Sequence, residues 1–156
     1  MKAKNVLTSV CFLRHFGRNN VQKDFDARFN NFVKQAAMNE KYGIRPTYMP
    51  EYDALILPNY QEKLLAEREK NGAEIGFWFE VVKPLVLDAG MAWRGRPEWD
   101  WDYHVDPGFL MAYTEEEKMR LIDTAMAKFK SIFGNYPPSV GSWLLDSFSM
   151  DYMSEK

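Results

Sequence analysis

Aromatic, basic and acidic side chains crowd one segment of the sequence, residues 93–104. The segment contains Trp93, Arg94, Arg96, Glu98, Trp99, Asp100, Trp101, Asp102, Tyr103 and His104. Flat aromatic faces beside short carboxylates suit a sugar ring, which presents apolar C–H faces together with hydroxyls. We therefore predict substrate-binding roles for six of these residues: Trp93, Arg94, Arg96, Trp99, Asp100 and Trp101. A structural alternative stays open, in which the tryptophans plug the mouth of the fold while Arg94 and Arg96 pair with Asp100 and Asp102.

Glu80 is a candidate for acid–base chemistry. It follows Phe77-Trp78-Phe79 at the predicted end of a buried strand. A carboxylate held against aromatic walls has its charged form disfavoured, which prepares it to act as a general acid. We predict a catalytic role for Glu80 and a substrate-binding role for Trp78. The alternative is a glutamate that emerges at the rim and pairs with an arginine.

Four further residues belong to the candidate site. Asp146 follows Trp143-Leu144-Leu145 at a predicted strand end, so we predict that Asp146 is catalytic and that Trp143 binds substrate. Its alternative is to cap the next helix, and the two roles can coexist. His104 is the better placed of the two histidines for proton transfer, against a structural or solvated role. Asp53 is predicted to bind substrate, against a role in a loop or cap.

Composition excludes several classes of function. Twenty basic and 22 acidic residues give a net charge of −2, which offers no basic field for nucleic acid. No apolar run reaches the ~18 residues that a membrane span needs. One cysteine and two histidines exclude a disulfide framework, a thiolate zinc cluster and a His-rich metal motif. The N-terminus lacks a secretory signal, so we expect a cytoplasmic protein, or a secreted one if a signal has been removed.

The predicted elements alternate between strands and helices. Strands are predicted at 6–13, 47–57 (extended, interrupted by Pro50), 73–82 and 139–145, and helices at about 25–43, 58–71 and 114–134, followed by a last helix capped by Ser147 or Ser149. Asn59 with Glu62, and Thr114 with Glu117, resemble capping pairs. Residues 83–113 are predicted to be an irregular loop. This alternation predicts parallel strands in an α/β fold, as one domain spanning 1–156.

The order of several short motifs resembles a known family. The motifs are Tyr52-Asp53-Ala54-Leu55, Glu74-Ile75-Gly76, Trp93-Arg94-Gly95-Arg96, Trp99-Asp100-Trp101, and Ser139-Val140-Gly141-Ser142-Trp143 followed by Asp146. Together they resemble a group of uncharacterised bacterial proteins that is similar to the polysaccharide-deacetylase and glycoside-hydrolase superfamily. The resemblance implies a (β/α)-barrel, typically of seven strands, and hydrolysis of a glycosidic or acyl linkage on a polysaccharide. It also leaves open a non-catalytic domain that binds carbohydrate or a partner through residues 93–104.

The chain departs from that family in its metal ligands and its length. The aspartate pair and the His-x-x-x-His segment of the deacetylases are replaced by Arg14-His15 and by 77–81, so we predict no cofactor and leave a divalent metal open. The carboxylates Asp53, Glu80 and Asp146 are closer to glycosidase chemistry. A closed barrel needs roughly 250 residues. We therefore expect about half a barrel, completed by the remainder of a longer chain or by a second copy.

Overall fold

The computed structural model describes residues 9–16 and 22–156, with the side chains of 22–25 left aside. The strands are β1 (Val10–Leu13), β2 (Thr47–Pro50), β3 (Glu74–Ile75), β4 (Phe77–Trp78) and β5 (Val140–Gly141). The helices are α1 (Gln22–Lys41), α2 (Tyr52–Leu55), α3 (Pro58–Asn71), α4 (Lys83–Asp88), α5 (Val105–Gly108), α6 (Glu115–Phe133) and α7 (Ser147–Ser154), with a 3₁₀ turn at Leu110–Ala112. The protein is thus mixed α/β with short strands.

The strands lie side by side and run parallel. β1 pairs with β2, β2 with β3, and β4 with β5. Only Gly76 separates β3 from β4, and its N–H donates to the Tyr48 carbonyl at 2.9 Å. The strands therefore form one row, β1-β2-β3/β4-β5, in chain order. The prediction of parallel strands is confirmed, whereas the described part of the chain shows an open row and no closed barrel.

Two glycines allow the close approach of β5 to its neighbours. A Cβ atom on Gly76 would lie 2.8 Å from the Ser139 carbonyl oxygen. A Cβ atom on Gly141 would lie 2.8 Å from the indole ring of Trp78. Both distances are too short for carbon, so a side chain at either position would push the strands or the Trp78 ring apart.

One face of the row is buried under helices. Core side chains on this side include Leu13, Phe32, Tyr48, Leu64, Ile75, Phe77, Leu121, Ile122, Phe129 and Phe133. Because side chains alternate along a strand, Val10 and Phe12 point to the other face, where both are exposed. Met49 and Trp78 lie on that same face. The uncovered face is therefore largely apolar.

The helices at 22–41, 58–71 and 115–133 confirm the helical predictions. Thr114 and Glu117 form the predicted capping box, and Gly72 and Gly134 end their helices in the left-handed conformation. The predicted pair of Asn59 and Glu62 is wrong, since Leu57 occupies the cap position of α3 without a side-chain bond. There, Pro58 fits the first turn, where no N–H is needed.

Other element boundaries need correction. The stretch predicted as extended over 47–57 leaves the sheet at Pro50 and turns into α2, and the strands predicted at 73–82 and 139–145 each pair over far fewer residues. The long loop 83–113 contains α4, α5 and the 3₁₀ turn. α7 is capped by Asp146, not by Ser147 or Ser149. None of the helices described is long and apolar enough to cross a bilayer.

The capping box of α6 predicts a measurable loss of stability. Thr114 Oγ1 accepts from the Glu117 N–H, and Glu117 Oε2 accepts from the Thr114 N–H at 2.9 Å. Replacing Thr114→Ala removes the first acceptor, so we expect the free energy of unfolding to fall by about 1 kcal/mol. Urea denaturation measures this. Thr114→Ser keeps the oxygen and should retain most of the stability; equal losses in both variants would contradict the assignment.

Candidate functional site

Three charged side chains meet at the carboxyl ends of the strands. Arg14 follows β1, Glu51 follows β2, and Glu80 lies two residues beyond β4. Because the carboxyl ends of parallel strands share one edge of a sheet, these positions are neighbours in space. This group, Arg14 with Glu51 and Glu80, is called the charged cluster below.

Arg14 joins the two carboxylates of the charged cluster. Its Nε donates to both Glu51 oxygens, at 2.8 and 3.0 Å. Its Nη2 lies 2.8 Å from Glu51 Oε1 and 2.7 Å from Glu80 Oε2. The guanidinium carbon also lies 4.1 Å from the ring centroid of Trp101. One cation thus serves two buried carboxylates, which is the arrangement that burying them requires.

Glu80 fixes two tryptophans as well as the arginine. The Trp78 indole N–H donates to Oε1 and the Trp101 indole N–H donates to Oε2, both at 2.9 Å. Glu80 is only 1% exposed, so these donors and Arg14 occupy it. The structure therefore brings together three predicted site residues, Glu80, Trp78 and Trp101. The alternative in which Glu80 pairs with an arginine is also observed.

An exposed group of aromatic rings adjoins Glu80. Phe12 and Trp78 stack with centroids 5.0 Å apart, and Trp143 contacts both rings, at 5.8 and 5.1 Å. Trp143 is 61% exposed and Phe12 is 43% exposed. We call Phe12, Trp78 and Trp143 the aromatic wall. It is a connected apolar surface of the kind that commonly marks a binding site.

Burial changes the protonation of the acidic groups below the wall. Burial and the nearby Asp53 carboxylate raise the pKa of Glu51 well above its ordinary value, although Arg14 acts to lower it. Burial raises the pKa of Asp53 to about 6, against the N–H groups of Phe16 and Ala54 that favour its charged form. Despite burial, the charges of Glu51 and Glu80 raise the pKa of Arg14.

Asp53 holds the chain that follows β1. Its Oδ2 accepts from the N–H groups of His15 at 2.9 Å and Phe16 at 2.6 Å, and its Oδ1 accepts from Ala54 N–H at 2.6 Å. Its side chain is fully buried. The structure thus gives Asp53 the loop role that was its alternative, and through His15 it positions the adjacent Arg14.

Asp146 lies in a helix cap. It accepts from Ser149 N–H at 3.1 Å and from Ser149 Oγ at 2.8 Å, and it pairs with Lys118 at 3.0 Å. Although burial acts in the opposite direction, Lys118 and Ser149 hold the pKa of Asp146 below its ordinary value. Among the described residues, no hydrogen bond or ion pair joins Asp146 to the charged cluster. The capping alternative is what the structure shows.

Both arginines of segment 93–104 form ion pairs within the protein. Arg96 lies over Trp99 at 4.0 Å and pairs with Asp102 at 3.7 Å, as the structural alternative predicted. Arg94 instead pairs with Glu117 of α6, so the structure shows only the Arg96 part of that alternative.

Two more members of the segment are held by neighbouring groups. Asp100 lies 3.7 Å from Lys83 Nζ, and the Trp93 indole N–H donates to the Arg96 carbonyl at 3.0 Å. These contacts anchor the segment to α4 and to itself.

His104 and Tyr103 extend the aromatic surface away from Glu80. Tyr103 lies 6.0 Å from Trp101, 5.9 Å from Trp99 and 4.5 Å from the His104 ring. His104 Nδ1 lies 2.6 Å from Asp102 Oδ1. The predicted catalytic histidine is therefore an exposed ring fixed by a carboxylate, at the far end of a band that begins at Trp101.

The candidate site predicted from the sequence did not include Arg14, Glu51 or Phe12. Arg14 stands directly after the first predicted strand, the same signal that identified Glu80, so its position could have indicated it. Glu51 was not recognised as a strand-end residue, because the chain was predicted to stay extended to residue 57. Phe12 could have been found by alternation, since a buried Leu13 puts its neighbour on the opposite face.

Comparison with known proteins adds no relative. The chain matches no family model, no curated protein and no solved structure. Within the described residues no group of three or more His, Cys, Asp or Glu side chains is arranged to hold a metal ion.

Glu51 predicts an unusual dependence of stability on pH. The pKa of Glu51 is higher in the folded than in the unfolded state. As the pH rises between these two pKa values, the unfolded state loses the Glu51 proton first, so the wild type is destabilised relative to Glu51→Gln. We expect the wild type to lose about 1.4 kcal/mol relative to the variant for each pH unit crossed, from about pH 5 upward. Chemical denaturation of both proteins from acid to mildly basic pH measures the difference. A difference that stays flat or grows in favour of the wild type would contradict the raised pKa.

Proposed function

We propose that this protein is a carbohydrate-active domain of the deacetylase and glycoside-hydrolase type, which binds a glycan on its aromatic wall. The observation that carries the proposal is Trp143, which is 61% exposed and packs against Trp78 beside buried Glu80. An exposed tryptophan next to an organised polar cluster presents the combination of apolar face and hydrogen-bonding groups that a sugar ring matches.

The rigidity of the wall supports this proposal. Glu80 fixes the Trp78 indole by a hydrogen bond, and the backbone of Gly141 lies against the same ring. A surface that is already ordered loses little side-chain entropy when a ligand binds. The band from Trp101 to Tyr103 and His104 would extend the same surface along a longer glycan chain. Under this proposal Arg96 and Trp99 lie at its outer end.

We extend the proposal to the fold: the row of strands corresponds to about half of a (β/α)₇-type barrel. Consecutive strands are adjacent and parallel with helices on one side, as in such barrels. The opposite face, which carries Val10 and Phe12, is apolar and exposed, as the interior of an unfinished barrel would be. Further strands from the same chain, or a second copy of it, would cover this face.

Hydrolysis is the second candidate function, and the charged cluster favours it. Glu51 and Glu80 both touch Arg14 Nη2, at 2.8 and 2.7 Å, so their nearest oxygens are no farther apart than the ~5.5 Å that separates the carboxyl pair of retaining glycosidases. Glu51, with its raised pKa, is suited to donate a proton. Both carboxyls lie beneath Arg14 and Trp101, so substrate would reach them only after these side chains move. For this reason binding is the leading proposal.

Replacement of Trp143 tests glycan binding. We expect Trp143→Ala to weaken binding by about tenfold or more, since it removes the most exposed ring of the wall. Binding is measured by calorimetry against soluble oligosaccharides of cellulose, chitin, xylan and mannan. Tyr42→Ala is the matched control, because Tyr42 is 64% exposed and is not part of the wall. A folded wild type that binds none of these sugars would remove the proposal.

A pair of amide substitutions tests hydrolysis. If the charged cluster performs it, Glu80→Gln should abolish release of reducing ends or of acetate from these glycans, whereas Asp146→Asn should retain it. Glu80 accepts from three donors and Asp146 caps α7, so either substitution could affect folding. Circular dichroism is therefore used to check that each variant is folded. Turnover that survives Glu80→Gln, or that is lost only with Asp146→Asn, would contradict the assignment.

A further inference from the structure

A cavity of about 330 Å³ lies between β1 and helices α1 and α3. Its polar lining comes from Arg14, Arg28, Asn31, Gln35 and Tyr60, and part of its apolar lining from Cys11 and Phe32. The volume is at the lower end of the range for small-molecule sites. The proposed glycan site and this cavity share two lining residues, Phe12 and Arg14.

The Tyr60 hydroxyl is a buried polar group without a protein partner. Tyr60 is 1% exposed, and its ring packs against Phe29 and Phe32, with centroids 5.0 and 6.0 Å away. Its hydroxyl makes no hydrogen bond with any described residue. By contrast, the hydroxyl of Tyr48 accepts from Asn39 at 3.0 Å. An unsatisfied buried hydroxyl costs about 1–3 kcal/mol, which a bound acceptor would recover.

Arg28 places a guanidinium group at the cavity. Its Nε is buried without a hydrogen-bond partner, and it forms no ion pair with the described residues. Arg14, on the other hand, is matched by Glu51 and Glu80. The cavity is therefore lined by one guanidinium that has no ion pair among the described residues, together with hydrogen-bonding groups from Tyr60 and Asn31.

We propose that this cavity binds the carboxylate group of a small organic acid, with Arg28 and Tyr60 as its donors. A planar carboxylate matches the planar fork of a guanidinium. One guanidinium without an ion pair among the described residues suits a monoanion better than a dianionic phosphate. The apolar lining from Phe32 and Cys11 takes the body of the acid. The ligand class is thus a small carboxylic acid with an apolar or aromatic body.

Cys11, the only cysteine of the chain, reports occupancy directly. Its rate of alkylation by iodoacetamide is measured with and without benzoate. We expect saturating benzoate to slow alkylation at least threefold, and benzyl alcohol, its neutral counterpart, to have no such effect. In Arg28→Gln, the benzoate concentration that gives half-maximal protection should be at least tenfold higher. Equal protection by benzyl alcohol, absence of protection, or unchanged protection in Arg28→Gln would each overturn the proposal.

Phenyl phosphate tests the preference for a monoanion. It carries the same ring with a dianionic head at slightly basic pH. We expect it to protect Cys11 less than benzoate does, and stronger protection would overturn the assignment of a carboxylate.

Tyr60→Phe separates binding from folding. Because the hydroxyl has no partner, its removal should leave the free energy of unfolding unchanged or slightly higher while weakening benzoate protection severalfold. Tyr48→Phe is the matched control, since it removes a paired hydroxyl and should destabilise the protein without affecting benzoate. Loss of stability in Tyr60→Phe, or undiminished protection, would contradict a ligand role for this hydroxyl.

Discussion

The sharing of Arg14 between Glu51 and Glu80 is the constraint on which the carboxyl end of this sheet depends. Two carboxylates with 1% exposure or less would cost several kcal/mol each if they stood unpaired. One guanidinium contacts both, and it extends from β1 to residues that follow β2 and β4. The cluster therefore connects the ends of three strands.

The charged cluster also holds the aromatic wall in place. Glu80 is oriented by Arg14 and in turn holds the indoles of Trp78 and Trp101. Gly141 then lets the Trp78 ring lie directly against β5, which carries the chain on to Trp143. The buried charged cluster and the exposed aromatic wall are thus directly connected by hydrogen bonds. A change in the cluster reaches the surface through a single carboxylate.

Local signals predicted α1, α3, α6 and α7, but not α2, α4 and α5, and only part of the sheet. The capping box at Thr114 and the glycine after Phe133 bound α6 because both act within a few residues of chain. Strand lengths were overestimated because pairing depends on neighbours distant in sequence, and apolar runs such as 73–82 continue into the core after the ladder ends. The parallel order followed from alternation, which depends only on element type.

Sequence patterns identified those members of the candidate site whose role depends on their position at the end of a strand. Glu80 was found because it follows an apolar run, but its partner Glu51 lies 29 positions earlier in a segment whose turn at Pro50 was not recognised. Asp146 and Asp53 satisfied the same rule, yet their oxygens are taken by Ser149 and by backbone N–H groups. A strand-end carboxylate is a necessary sign of such a site, and only its neighbours decide its role.

Arg14 also links the cluster to the cavity beside α1, which gives the two regions a physical connection. Its Nε and Nη2 are committed to Glu51 and Glu80, while the same side chain borders the cavity that Arg28 and Tyr60 line. An anion held by Arg28 would add attraction for the Arg14 guanidinium from the opposite side. Because a rigid guanidinium cannot approach both sides at once, stronger contact there would lengthen its contacts with Glu80. Occupancy of the cavity would then loosen the indole of Trp78 through Arg14 and Glu80. Phe12, which lines the cavity and stacks on Trp78, is a second connection between the two regions.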